Sequence, residues 1–156
     1  MADMIVHLYA LPSLHSSSAD LHSRGFTVRR AMAYEREAVV EWVHTTFNRF
    51  WASECATAFG RQPIGCYIAV QEKAIKGFCC VESTFRNFAG PIGVDREVRG
   101  QGLGGALLNA GLEELRQMGY AYAIIGDAGE PSFFAKTAGA AVIDGSTPGP
   151  YPPRLR

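Results

Sequence analysis

Long apolar runs are missing from this chain. Ala38 to Val40 and Ala121 to Ile125 are among the longest, and both fall far short of the roughly 20 residues that cross a bilayer. No membrane partner is expected. The start lacks a basic region followed by a hydrophobic block, so no secretory leader is expected and a cytoplasmic location is the default. Net charge is also missing, because 15 Lys plus Arg balance 15 Asp plus Glu. Without a positive field the chain is not expected to gather nucleic acid, although one basic spot would serve a small phosphorylated ligand. Cysteines are few, at positions 55, 66, 79 and 80, and their spacing contains no Cys-x-x-Cys pair from which a tetrahedral zinc site is built. They read as reduced, buried thiols, and adjacent Cys79 and Cys80 point to opposite faces of a strand. His7, His15, His22 and His44 are scattered without ligand spacing, so no metal is expected.

What is present suits one globular domain: 156 residues, 47% of them apolar, can bury a sizeable core. Met4 to Leu11 reads as a strand, and a polar stretch from Pro12 reads as a helix that Gly25 stops. Phe26 to Arg30 alternates as a strand, and Tyr34 to Phe47 carries apolar residues at helical spacing. A second helix holds Trp51, Cys55, Ala58 and Phe59 and ends at Gly60 and Pro63. Tyr67 to Gln71 and Gly77 to Thr84 flank the turn Glu72 to Lys76 as a hairpin. Phe88 to Val94 adds an irregular strand, where Pro91 removes a ladder donor and predicts an edge, a bulge or a splayed end. Leu103 to Met118 is a helix with a continuous apolar stripe, and Tyr120 to Ile125 is an apolar strand expected to be buried on both faces. Ser132 to Ala138 is a short helix, Ala141 to Ile143 a last strand, and the proline-rich tail from Gly145 is extended. The fold class is therefore α/β: a central twisted mixed sheet flanked by helices.

Four glycines at positions 100, 102, 104 and 105 stand where a strand hands over to the long helix. Backbone N–H groups at a helix start lack intrahelical partners, and the helix dipole adds partial positive charge. That is an anion cradle, with Arg99 at its mouth. A P-loop is excluded because no Gly-Lys-Ser/Thr follows. A dinucleotide fingerprint is met formally by Gly100, Gly102 and Gly105 with Asp127 after the next strand. Against it, Asp95 to Arg99 separates strand from glycines, and fewer than 35 residues follow Asp127, too few for that fold's further strands.

At this point the sequence resembles the GNAT N-acetyltransferases: Arg99-x-x-Gly102-x-Gly104 matches their Arg/Gln-x-x-Gly-x-Gly/Ala motif, and residues 26 to 143 follow their order of elements. The likeness implies a domain over 26–156, with 1–25 as an N-terminal extension packed on it. It implies acetyl-CoA or another acyl-CoA as co-substrate. Arg99, Gly100, Gln101, Gly102, Leu103, Gly104 and Gly105 would hold its pyrophosphate, and the main chain of Ile92, Gly93 and Val94 its pantetheine arm. The acceptor would be an amine on a small molecule or a protein, and a homodimer stays open.

Acyl transfer from a thioester to an amine needs a neutral amine, an oxyanion donor and a proton source for the thiolate. No covalent enzyme intermediate is needed, so the absence of a Ser-His-Asp pattern is no obstacle. Where the family places its acidic tyrosine, this chain has Phe134. Tyr151 substitutes for it, or water does, or the protein binds acyl-CoA without efficient turnover. Glu82 is the expected base, on a strand face shared with Phe78 and Cys80. Trp51 and Glu54 are the expected acceptor contacts, an aromatic wall with one carboxylate for a cationic amine.

Overall fold

The computed structural model describes residues 1–13 and 17–156. In chain order the elements are β1 (Met4–His7), α1 (Ser18–Ser23), β2 (Phe26–Arg30), α2 (Arg36–Thr46), α3 (Arg49–Ala58), β3 (Cys66–Gln71) and β4 (Ala74–Val81). They continue with β5 (Ala89–Val94), α4 (Leu103–Gln117), β6 (Tyr122–Ile125), α5 (Pro131–Ala138) and β7 (Ala141–Val142). The class is mixed α/β, as expected.

The first strand is shorter than its apolar pattern predicts. It stops at His7, and Leu8–Ala10 form a 3₁₀ turn that drives Leu8 into the core, its N–H donating to Ala121 O at 2.9 Å. The helix expected from Pro12 begins at Ser18, because Ser17 caps it reciprocally with Asp20. Pro12 and Ser13 are not helical, and residues 14–16 of that expected helix, His15 included, lie outside the described residues. The β3–β4 turn is two residues rather than five: Glu72 and Lys73 both take positive φ (49° and 65°), the backbone of a tight hairpin turn without its usual glycine or asparagine.

Strands β2-β3-β4-β5 form one antiparallel sheet and β6-β1-β7 a second. β1, read from sequence as part of an extension, is the middle strand of the second sheet, with Met4 opposite Ile125 and Val142. Alternation along β4 divides the core. Phe78 and Cys80 pack under α2 and α3 with Cys66, Ile68, Val39 and Val43, while Cys79 faces α4 with Ala69, Leu103 and Leu107. Cys79 and Cys80 therefore point to opposite faces, as expected. β6 departs from its expected double burial: Ala123 and Ile125 are buried, but Tyr122 is exposed and packs edge-on against Tyr9 and His7.

Helix α4 is tied down by charge as well as by its leucines. Glu114, buried on its sheet-facing side, accepts from Arg30 at 2.6 Å and from the Tyr67 hydroxyl at 2.9 Å. Burial alone would raise the Glu114 pKa, yet the hydrogen bonds from Arg30 and Tyr67 outweigh it and hold the carboxyl below its ordinary value.

Among the described residues the two sheets meet at one isolated parallel bridge between Phe88 and Ile124, supported by Ile124 N–H donating to Asn87 O at 3.0 Å. Beyond the bridge β5 and β6 part, and the gap opens toward the start of α4. This is the splayed end that Gly90-Pro91 predicts.

Candidate active site

A cleft of about 1530 Å³ follows that gap. Its floor is β5 and the end of β6, one wall is the α4 start with α5, and the other is α3 with the C-terminal tail. All ten residues expected at the cofactor, from Ile92 to Val94 and from Arg99 to Gly105, line it.

The turn into α4 is built by backbone geometry. Gly100 and Gly102 have φ of 78° and 86°, a left-handed conformation that disfavours side chains. Gly102 is the residue before the helix, and the first intrahelical bond runs from Ala106 N–H to Gly102 O at 3.1 Å. The N–H groups of Leu103, Gly104 and Gly105 are thus free of the helix ladder at its positive end. Arg99 braces the turn, its Nε donating to Val94 O at 3.1 Å. A Cβ at Gly100 would meet no protein atom within 4 Å, so the space before the turn is open to a ligand. Arg99, Arg24 and Lys136 line this end. An anionic diphosphate fits such a donor set.

The opposite end is aromatic and acidic. Phe47 packs against Gly93 of β5, where a Cβ would collide with its ring, and Trp51 lies 5.2 Å from Phe47 between ring centroids. Trp51 also contacts Phe78, so it joins the core to the cleft. Glu54 lines the cleft and accepts from the Thr84 hydroxyl at 2.6 Å. Phe50 carries two guanidinium groups against its ring, Arg49 at 4.9 Å and Arg154 of the tail at 4.8 Å. Phe134 lines the wall as an almost buried ring, with no proton to give.

Glu82 is not among the residues lining the cleft. Strand β4 ends at Val81, and Glu82 takes a positive φ of 57°, which removes it from the Phe78 and Cys80 face on which sequence alternation places it. Its carboxylate accepts Asn87 N–H at 3.2 Å and faces Tyr120, bracing the β4–β5 connection. Tyr151 does reach the cleft, beside Phe88 and Gly126, but its hydroxyl donates to Asp3 Oδ1 at 2.9 Å. A proton committed to a carboxylate is poorly placed to protonate a thiolate.

Two groupings escape the sequence pattern. Asp3, buried behind Tyr151, is brought beside that cleft residue through the β1–β6 register, which no local signal encodes. Cys55, Cys66 and Cys80, on α3, β3 and β4, bring their sulfurs within 4.8 Å of one another in the α2/α3 core. The cross-strand pairing of Cys66 with Cys80 and the packing of α3 on that face unite them, and all three are fully buried outside the cleft.

A family model described as the acetyltransferase (GNAT) family matches residues 27–139. The chain belongs to the GNAT acetyltransferase family. Its fold is similar to a GCN5-related glucosamine N-acetyltransferase region of a fungal multi-domain GH3 β-N-acetylglucosaminidase, at TM-score 0.73 and 14% identity over 91% of this chain and 19% of that one. It is also similar to a GCN5-related N-acetyltransferase from Sphaerobacter thermophilus, at TM-score 0.66 and 22% identity over 91% of this chain and 48% of that one. A GNAT family acetyltransferase from Brucella melitensis, solved in complex with acetyl-CoA, has TM-score 0.56 and 19% identity over 83% of this chain and 92% of that one. The chain thus spans less than half the length of the first two. A sequence comparison with curated proteins finds no match. At these identities the likeness is one of fold.

Proposed function

We propose that this GNAT domain moves an acetyl or other short acyl group from acyl-CoA to a primary amine, by direct attack within a ternary complex. The observation that carries the reading is the left-handed Gly100–Gly102 turn, which aims free helix-start N–H groups into the cleft between parted strands. The amides of Leu103 to Gly105, with Arg99, would hold the diphosphate, and the unpaired edge of Ile92 to Val94 would pair with the pantetheine amides. The thioester then lies toward the Phe88–Ile124 bridge. The amine enters from the α3 side, where Trp51 supplies an aromatic wall and Glu54 a carboxylate for a cation. We place the reaction in the cytoplasm, in a monomer or a homodimer, with a small molecule or an exposed protein amine as acceptor.

Release of free thiol from acetyl-CoA across a panel of primary amines tests this. Turnover with at least one amine is expected, and silence across the panel despite acetyl-CoA binding overturns it. Phe134 supports a second reading, an acyl-CoA-responsive module without turnover, because the hydroxyl of the family's usual acid is missing there. Thermal stabilisation by acetyl-CoA without any thiol release is its signature.

A further inference from the structure

Asp3 and Tyr151 are 148 positions apart and meet at the end of β6. β1 runs antiparallel to β6 with Met4 opposite Ile125, so the next residue outward on each side brings Asp3 beside Gly126. Asp3 is 6% exposed. Its Oδ1 accepts the Tyr151 hydroxyl at 2.9 Å and the Asp127 N–H at 2.8 Å, and its own N–H donates to Ser146 Oγ at 2.9 Å. Among the described residues no lysine, arginine or histidine stands within 4.0 Å of this carboxylate. The half-buried Tyr151 phenol is its hydrogen-bonding neighbour from the tail. Gly126 makes the approach feasible, since a Cβ there would collide with the Tyr151 hydroxyl and lie 3.0 Å from the Phe88 ring.

This geometry inverts the role that a cleft tyrosine would play as an acid. A phenol whose proton is given to a carboxylate presents lone pairs to the cleft, and lone pairs accept protons. Its place beside Phe88, at the bridge where β5 and β6 part, puts those lone pairs at the thioester end of the cleft. Burial and Asp3 both push Tyr151 ionisation far above its ordinary range, so the neutral, proton-relaying phenol is the resting form. The other titratable groups facing it are Asp127, which is paired with the Met1 α-amino group at 2.7 Å, and Glu54 from α3.

We propose that Tyr151 and Asp3 form a relay that removes the proton from the attacking amine, a proposal that rests on the acyl-CoA-to-amine reading above. As the nitrogen forms its bond to the acyl carbon, the amine N–H proton passes to Tyr151 Oη and the Tyr151 proton passes to Asp3 Oδ1. The C–S bond breaks with its electron pair leaving on sulfur. The stored proton leaves through Tyr151 to water, and the thiolate takes its proton from water, so amine and thioester become amide and thiol. Tyr151 is a catalytic residue, since it touches the amine. Asp3 is a positioning residue, since it acts through Tyr151.

The test measures thiol release by the full chain, with acetyl-CoA and an amine that it turns over, from about pH 6 to about pH 10. Asp3→Asn keeps an acceptor for Asp127 N–H and Tyr151→Phe removes one hydroxyl, so neither opens the core. Each is expected to lower kcat by about 10²- to 10⁴-fold, the usual weight of general acid–base catalysis. Acetyl-CoA stabilisation is retained in both. The loss shrinks as pH rises, because hydroxide from solution takes over removal of the N–H proton. The double variant is no slower than the worse single one, because the pair acts as a unit. An ultraviolet difference titration, referenced to Tyr151→Phe, shows the Tyr151 ionisation moving down in Asp3→Asn. A wild-type rate and pH profile in Asp3→Asn, or losses that add in the double variant, overturn the relay alone. A wild-type chain silent with every amine overturns the transferase reading and the relay with it.

Discussion

Gly100 and Gly145 share a conformation and differ in what lies before them. Their φ angles are 78° and 74°, and at neither would a Cβ meet a protein atom within 4 Å, but only Gly100 lines the cleft. Valine at either position pays the same left-handed penalty of about 1–2 kcal/mol, small against the roughly 5–15 kcal/mol that holds a domain folded. Both Gly100→Val and Gly145→Val should therefore fold with similar modest losses of thermal stability. Only Gly100→Val places a branched side chain where the diphosphate would approach the backbone. Its acetyl-CoA affinity is expected to fall by about 100-fold or more, equivalent to about 2.7 kcal/mol, while Gly145→Val binds as the parent does. Calorimetric titration of the two variants measures this, and equal affinities would remove the Gly100 turn from the binding site.

At the scale of elements, what the residues reveal depends on how local the cause is. The α4 stripe, the left-handed stops at Gly25 and Gly139 and the break at Gly90-Pro91 are local, and each lies where periodicity and glycine chemistry place it. Asp3 beside Gly126 and the convergence of three cysteines depend on strand register, a long-range property invisible in one segment. Glu82 leaves its expected face for an intermediate reason, because one left-handed residue at the β4 end breaks the alternation that assigned that face. The entry to α2 is local and carries a pH signature. Glu35 caps the turn by accepting Met32 N–H and two bonds from Arg29, and the Arg29 hydrogen bond holds its carboxyl down to about 2 from its ordinary 4.5. A depressed carboxyl stabilises the fold above its unfolded pKa, and this is lost as pH falls from about 4.5 toward about 2. Arg29 is 40% exposed, so solvent screens the pair and its contribution is about 1 kcal/mol or less. Urea unfolding should show the parent more stable than Glu35→Gln at pH 7 by that margin, with the two converging near pH 2. A difference independent of pH would deny the charge its role.

Among the described residues the molecule is two sheets sharing one isolated bridge, with the tail beside it at Tyr151. Tyr151 ties the tail to Asp3, just before β1, while Arg49 of α3 donates to Leu155 O at 3.2 Å and Arg154 rests on Phe50. The tail thus spans from the β6 side to α3, across the end where the acceptor would enter. Deleting residues 148–156 separates two contributions. Losing Tyr151 costs the relay, which Tyr151→Phe measures alone. Losing Pro148, Pro152 and Arg154 removes one wall of the entrance, so discrimination by acceptor size should relax. The truncated chain is expected to keep acetyl-CoA affinity within about threefold, to be slowed at least as much as Tyr151→Phe, and to turn over bulky amines faster relative to small ones than Tyr151→Phe does. Ratios of kcat/KM for a small and a bulky amine, taken on both variants, read the wall without the relay. Identical ratios would mean that the tail supplies the tyrosine and nothing else to acceptor choice.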